Sequence, residues 1–506
     1  MKDAIWPAAA WGDQGDGSYK NPVLFADYSD PDVIRVDTDY YMVCSEFHFM
    51  GIPLLHSKDL VNWRIVRRIY DRLQPGTDYD RFRKYGMGSW APALRYHDGV
   101  YYVFFCTPDL GLFMTKAADP AGEWSEPLLV HEAFGWEDPC PFWDTDGKAY
   151  LGRSKCGAGP IIVHQMAPDG TKLLDEGREV YSGPVAEGTK FYFHNGYYYL
   201  VIPEGSVCTG WETALRAKSI YGPYERQIVL EQGADSWVNG PHQGALVDTP
   251  KGELWFMHFS ETGVAGRICH LQPAQWIDDW PVIGQRTEGG YCGHPVPQWT
   301  KPETDFPCEP FAPQASDDFS GPELSPQWQW NHNPVDEKWS LTERRGWLRL
   351  KSSFVNGDIT ATPNILTQKL MGACGNISVI LSTKNMADSQ VAGLMLFGTE
   401  SLYIAAVKMP DRLCIDTPHV GSRKRDLPMV QAEEILLRVT VQYLAQPVFS
   451  YSLDGGKTFA YFPAGPLTKG VWKGTRVALF TRDGMGGSAD FKNFTYIHDG
   501  PKGCCP

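Results

Sequence analysis

Five stretches of this chain repeat one pattern, a polar turn followed by an aromatic-rich strand. They are "DTDYYMVCS" (37–45), "HDGVYYVFF" (97–105), "TDGKAYLGR" (145–153), "HNGYYYLVI" (194–202) and "PKGELWFMH" (250–258). Aligning the turns sets Tyr41, Tyr102, Tyr150, Tyr199 and Trp255 in register, at intervals of 61, 48, 49 and 56 residues. "LLHSKDLVNWRIV", "LFMTKAADPAGEWSEP" and "TALRAKSIYGPYERQ" then each give a strand, a turn and an aromatic before the next strand. Helical periodicity is scarce, so the chain reads as all-β. A hairpin-rich unit of about 50 residues repeated five times predicts a propeller. Ordinary hairpins of a β-sandwich are the competing arrangement.

The repeat stops near residue 285. The stretch 297–318, "PQWTKPETDFPCEPFAPQASDD", is rich in proline and polar residues and reads as a strap. Beyond it, "GWLRLKSS", "ISVILSTK", "SLYIAAVKM", "ILLRVTVQ" and "TRVALFTRDG" are strands separated by turn signals, which suits a two-sheet sandwich. A length of 506 residues is too great for one ordinary core. The expected division is a propeller over 1–300, a strap over 301–316, and a sandwich over 317–506 packed on the propeller.

A formal charge of −14 disfavours a sequence-blind grip on nucleic acid or on an acidic membrane. No apolar run reaches transmembrane length. Aromatics make up 13% of the chain, and sugar rings stack on flat aromatic faces. Twelve cysteines are scattered without zinc-like spacing, and "MKDAIWPAAAWGDQGDG" has no long apolar segment of a secretory signal. The expectation is a cytoplasmic chain with free thiols. A few disulfides, or a secreted chain whose signal has been removed, are the alternatives.

Counting backwards from the aligned aromatics gives a second register. Asp30 lies 11 residues before Tyr41; Trp90, Asp138 and Glu187 each lie 12 before Tyr102, Tyr150 and Tyr199; His242 lies 13 before Trp255. Each should begin the innermost strand of its blade, and those starts share one end of the channel. Glycines and prolines in "SDPD", "GSWAP", "EDPCP", "AEGTK" and "NGPHQG" fix the backbone there. Two well-placed carboxyls can run glycoside hydrolysis, one as acid and one as base or nucleophile, and a third raises the acid's pKa by repulsion. A calcium site is the competing reading of such a trio.

Several ordered motifs, "NPVLFADYSDPDVIRV", "HSKDLVNW", "GSWAPALRYHDGVYYVFF", "EDPCPFWDTDGKAYL", "EGTKFYFHNGYYYL" and "GRICHLQPAQWIDDWP", resemble those of glycoside hydrolase family 43. The likeness runs from residue 21 to about 285. "FSGPELSPQWQWNHNP", "WSLTERRGWLRL" and "GGSADFKNFTYI" resemble the concanavalin A-like sandwich (a jelly roll) found at the C-terminus of many β-xylosidases of that family.

The resemblance implies a five-bladed propeller and inversion of configuration. It implies Asp30 as general base, Asp138 as the carboxylate that tunes the acid, and Glu187 as general acid. Arg267 matches an arginine that reaches toward the tuning aspartate and the sugar, and Trp90 a wall of the sugar pocket. Phe47, His48 and Thr209 are further substrate-binding candidates, with Phe49, Trp136 and Trp211 behind them. His242 matches a histidine that in some members helps hold a calcium ion, largely through waters, with Gln243 beside it. "DPD", "EGT" and "GRIC" stand where "DPS", "EGP" and "GRET" are frequent, and Asp32 should point away from Asp30 or sideways. No organic cofactor is expected. The implied activity is release of xylose from non-reducing ends of β-1,4-xylooligosaccharides, with α-L-arabinofuranosidase as a second activity and arabinose-substituted oligosaccharides as further substrates. A dedicated α-L-arabinofuranosidase or a non-catalytic sugar-binding propeller are the alternatives. The sandwich is expected to close one side of the pocket.

Overall fold

The computed structural model describes residues 10–74, 77–80, 86–233, 238, 240–306, 308–353, 359–417 and 427–501. Cys504 and Cys505, and residues 1–9 of the N-terminal stretch read for a secretory signal, lie outside them. The one α-helix among these residues is the single turn Thr77–Asp80.

The five repeats form five sheets of four antiparallel strands, the fourth extended to six by two later strands that join it in parallel, Leu230 against Gly293. The first strands are β1 (Asp32–Val36), β2 (Trp90–His97), β3 (Trp136–Trp143), β4 (Lys190–His194) and β5 (His242–Asp248). Each lies against the first strand of a neighbouring sheet, and β5 returns to β1, so the ring closes around a channel. The aligned aromatics pair with one position of these strands: Tyr41 with Ile34, Tyr102 with Arg95, Tyr150 with Phe142, Tyr199 with Tyr192 and Trp255 with Val247. The sequence register is therefore the physical register of the blades.

Asp32 does turn away from the pocket. It is buried and accepts hydrogen bonds from Leu94 N and Arg95 Nη1, both at 2.7 Å, and Lys190 Nζ lies 3.9 Å away, so it ties three blades together. The chain entering the propeller closes the ring by pairing Leu24 with Cys269 of the fifth sheet. Gly12–Asp13, Ser18–Lys20 and Gln298–Thr300 form a small sheet that joins the propeller's two ends.

The C-terminal region is two seven-stranded antiparallel sheets. Strict alternation drives their facing: Glu434–Val441 buries every second residue. None of the ten described cysteines is paired.

Sandwich and propeller meet through buried charge. Glu46 receives Lys369 Nζ at 2.5 Å and the guanidinium of Arg476, and Arg476 Nη1 also donates to Gln329 Oε1 at 2.6 Å. Lys369 Nζ donates in turn to Asp27 O at 2.7 Å. Gly266 stands at the joint with φ +78°; a Cβ there would come within 2.4 Å of Asp27 Oδ1 and 2.5 Å of Gly474 N. Only glycine lets the two domains approach so closely. Removing one member of a buried ion cluster leaves the others uncompensated. We therefore expect Glu46→Ala to cost about 3–5 kcal/mol, measured as a lowered midpoint in urea denaturation. An unchanged midpoint would show that the cluster does not hold the domains together.

Candidate active site

One pocket of about 400 Å³ sits at the channel end where β1–β5 begin. It is lined by Asp30, Phe47, Trp90, Asp138, Glu187, His242, Gln243 and Arg267, all singled out in the sequence. Trp90 and His242 open their strands; Asp138 is the third residue of β3, and Asp30 and Glu187 lie two and three residues ahead of β1 and β4. The offset has a local cause. Asp30, Ala91, Asp138, Gly188 and Gln243 all have positive φ, and the pairing registers of β2, β3 and β5 slip there. These are β-bulges, and a bulge breaks the alternation of side chains and re-aims them. Aspartate and glycine accept this backbone readily.

Asp30 is buried and fully partnered. Ser29 Oγ and Ser45 Oγ donate to Oδ2 at 2.9 and 2.5 Å, and Arg267 Nη1 donates to Oδ1 at 3.0 Å. Arg267 was expected to reach toward Asp138, and the structure pairs it with Asp30 instead. It begins a strand of the fifth sheet, which abuts the first blade, whereas Asp138 belongs to the third. Its backbone N–H donates to Asp27 Oδ1 at 2.9 Å, and its guanidinium lies 5.5 Å from the ring of Phe47 and 5.4 Å from that of Trp472.

Asp138 accepts hydrogen bonds from Ser154 Oγ and Gly188 N, each at 2.8 Å, and from Gln243 Nε2 at 3.2 Å. Burial lifts its pKa above the ordinary aspartate range, with further upward push from the charges of Glu187 and Asp30. Glu187 is the more accessible carboxyl, with its side chain 18% exposed, and His242 Nε2 lies 3.2 Å from its Oε1. Neither ring nitrogen of the buried His242 has hydrogen-bond alignment with a partner.

Several pocket residues escaped the sequence reading, Cys156, Ser206 and Val207 among them. The two that bear on the site most are Glu137 and Trp472. Glu137 lies beside Asp138, and strict alternation would turn it out of the site; the bulge brings both side chains in. Burial, then the charges of Asp138 and Glu187, hold its carboxyl far above the usual range. Oxygens of Glu137, Asp138 and Glu187 lie within 4.8 Å of one another, so the trio could hold a metal ion. Trp472 comes from the sandwich and forms the remaining wall.

Other candidates lie elsewhere. His48 is buried behind Phe47, with Gly86 against its ring. Thr209 pairs its hydroxyl with Ser206 Oγ at 2.9 Å, and Ser206, not Thr209, lines the pocket. Phe49 packs on Phe397 of the sandwich, Trp136 stacks under Arg153, and Trp211 donates to Glu204. Each is an aromatic or polar residue absorbed by packing.

A propeller whose channel mouth gathers carboxyls from the first, third and fourth blades, with an aromatic wall, has the frame of a glycosidase. Residues 19–281 match the Glycosyl hydrolases family 43, and residues 316–497 match the Beta xylosidase C-terminal Concanavalin A-like domain. A Xylanibacter ruminicola protein is 50% identical over 476 residues, covering 93% of this chain and 88% of its own. The beta-xylosidase of Formosa agariphila is 34% identical, covering 97% and 92%. Among solved structures, an engineered family 43 enzyme displaying both endo-xylanase and exo-arabinofuranosidase activity superposes with a TM-score of 0.82, at 26% identity over 95% of this chain and 99% of that one. The chain belongs to glycoside hydrolase family 43, with the concanavalin A-like domain of its β-xylosidases, and is a glycoside hydrolase.

The raised pKa values carry a sign. Glu137 and Asp138 keep protons in the folded state that the unfolded chain releases at lower pH. Stability therefore falls as pH rises from the ordinary carboxylate range through the raised values, and the loss is complete above them. Glu137→Gln has no charge to bury. Its melting temperature should exceed the wild type's at pH 8, with the difference shrinking toward pH 4. Equal melting curves at pH 8 would mean that the fold does not hold the Glu137 carboxyl above its ordinary range.

Proposed function

We propose that the protein is an exo-acting β-1,4-xylosidase that inverts configuration. The observation that carries this reading is the convergence of Asp30 with the Glu137, Asp138 and Glu187 cluster in one pocket walled by Trp90 and Trp472. Glu187 donates its proton to the glycosidic oxygen as that oxygen leaves C1. A water on the opposite face forms the new C1–O bond, and Asp30 takes its proton. Arg267, Ser29 and Ser45 hold the Asp30 carboxylate in place for that transfer. Asp138 and Glu137 set two further carboxyls against the acid. Trp472 narrows the pocket from the sandwich side, which favours single end sugars over internal positions.

Calcium belongs to the same reading. It prefers oxygen ligands, so His242 would hold it through waters, and the two buried ring nitrogens fit that place. When bound it supplies positive charge near the catalytic carboxyls. The likeness to an enzyme displaying arabinofuranosidase activity supports α-L-arabinofuranose as a second substrate sugar. Matched aryl-xyloside and aryl-arabinofuranoside substrates separate the two activities.

Glu187→Gln should lower kcat by about 10²–10⁴-fold, the usual contribution of a general acid, while xylose binding measured by calorimetry survives. Turnover within tenfold of wild type would remove Glu187 from the acid's role. Trp472→Ala should raise KM for xylobiose at least fivefold with little change in the melting temperature, because its side chain is 45% exposed. An unchanged KM would take the sandwich out of the site.

A further inference from the structure

A larger cavity, about 520 Å³, opens on the propeller where the innermost strands end. His97 at this cavity lies seven positions along β2 from Trp90 in the catalytic pocket, a span of roughly 23 Å. Among the described residues the sandwich contributes none to its lining.

One register position builds its mouth. Arg35, Tyr96, Trp143, Phe193 and Asp248 occupy equivalent places on the five strands, paired with Tyr40, Tyr101, Ala149, Tyr198 and Leu254. Three consecutive blades thus present aromatic rings. Tyr96 and Phe193 are each 46% exposed, unusual for large rings facing a concave wall. Other rings are held at fixed tilts: Trp143 stacks on His97 at 4.8 Å and 13°, and Trp276 on His194 at 3.9 Å and 7°. The remaining two blades supply Arg35 and Asp248, joined by two hydrogen bonds of 2.9 and 2.6 Å. The Asp248 side chain is 56% exposed and keeps acceptor capacity.

The charges at the mouth are paired with each other. An ionic ligand would have to displace one partner, whereas a neutral polyhydroxyl ligand finds donors, acceptors and flat apolar faces together. A pyranose ring has that make-up, with C–H faces for the aromatics and equatorial hydroxyls for the Arg35–Asp248 rim. We propose that this cavity is a second saccharide site that holds a neutral β-1,4-xylan segment away from the catalytic pocket. The choice of xylan rests on the substrate reading above; the choice of a neutral sugar chain rests on the cavity.

Calorimetry of full-length E187Q with xylohexaose tests it. Two equivalents should bind, and Tyr96→Ser with Phe193→Ser should remove one of them. Asp248→Ala, which leaves the rings in place, should weaken the same equivalent at least fivefold. With Glu187 restored, both variants should hydrolyse an aryl-xyloside within twofold of the wild-type rate. Binding of a single equivalent, or of two equivalents unaffected by either variant, overturns the proposal. A wild-type protein that does not hydrolyse the aryl-xyloside would instead overturn the substrate reading, and the xylohexaose titration would still report on the cavity.

Discussion

The Arg267–Asp30 ion pair is the contact on which the rest of the site depends. Asp30 lies in the first blade and Arg267 in the fifth, so the pair spans the closure of the propeller ring. Asp27 extends the link. It accepts from the backbone of Arg267 at 2.9 Å through Oδ1 and from Gly474 of the sandwich at 3.0 Å through Oδ2. The loop that carries Trp472 is thereby fixed to the strand that carries Arg267. Asp30, the ring closure and the backbone that leads to Trp472 share one hydrogen-bonded unit, and its Asp27, Asp30 and Arg267 side chains are buried. At low effective dielectric such a unit is rigid when complete and costly when broken.

Across the channel the logic is opposite. Among the described residues no lysine or arginine forms an ion pair with Glu137, Asp138 or Glu187, and the His242 ring lies close to Glu187. Burial and mutual repulsion keep protons on the first two above the pH at which free carboxyls lose them. One side of the pocket thus holds a carboxylate with an arginine, and the other holds crowded carboxyls. Separating acid from base by environment needs this asymmetry.

Much of this was legible in the chain. The aromatic markers fixed the blades because an inner hairpin must pair the same positions each time, and Tyr41 through Trp255 do so. Counting back from them reached Asp30, Trp90, Asp138, Glu187 and His242, which share one pocket. The sandwich followed from strand-like runs separated by turn signals, and Glu434–Val441, one of those runs, buries alternate residues as a sandwich strand does. Glu137 was missed because a repeat of two sends it to the wrong face; only the positive φ at Asp138 reveals the bulge. Trp472 was missed because nothing local in the sequence says which loop of the sandwich meets the propeller. His48 and Thr209 were misplaced for a related reason: nearness in sequence to Phe47 or to the pocket loop does not fix direction.

In the proposed reaction a water, placed by Asp30, attacks C1 while Glu187 protonates the leaving oxygen from the other side. Proton NMR of the first product released from an aryl β-xyloside tests it most directly. With inversion, α-xylose appears first and mutarotates afterwards to the equilibrium mixture. Initial release of β-xylose would mean retention through a covalent intermediate, and would contradict the assignment of Asp30 as a base acting through water.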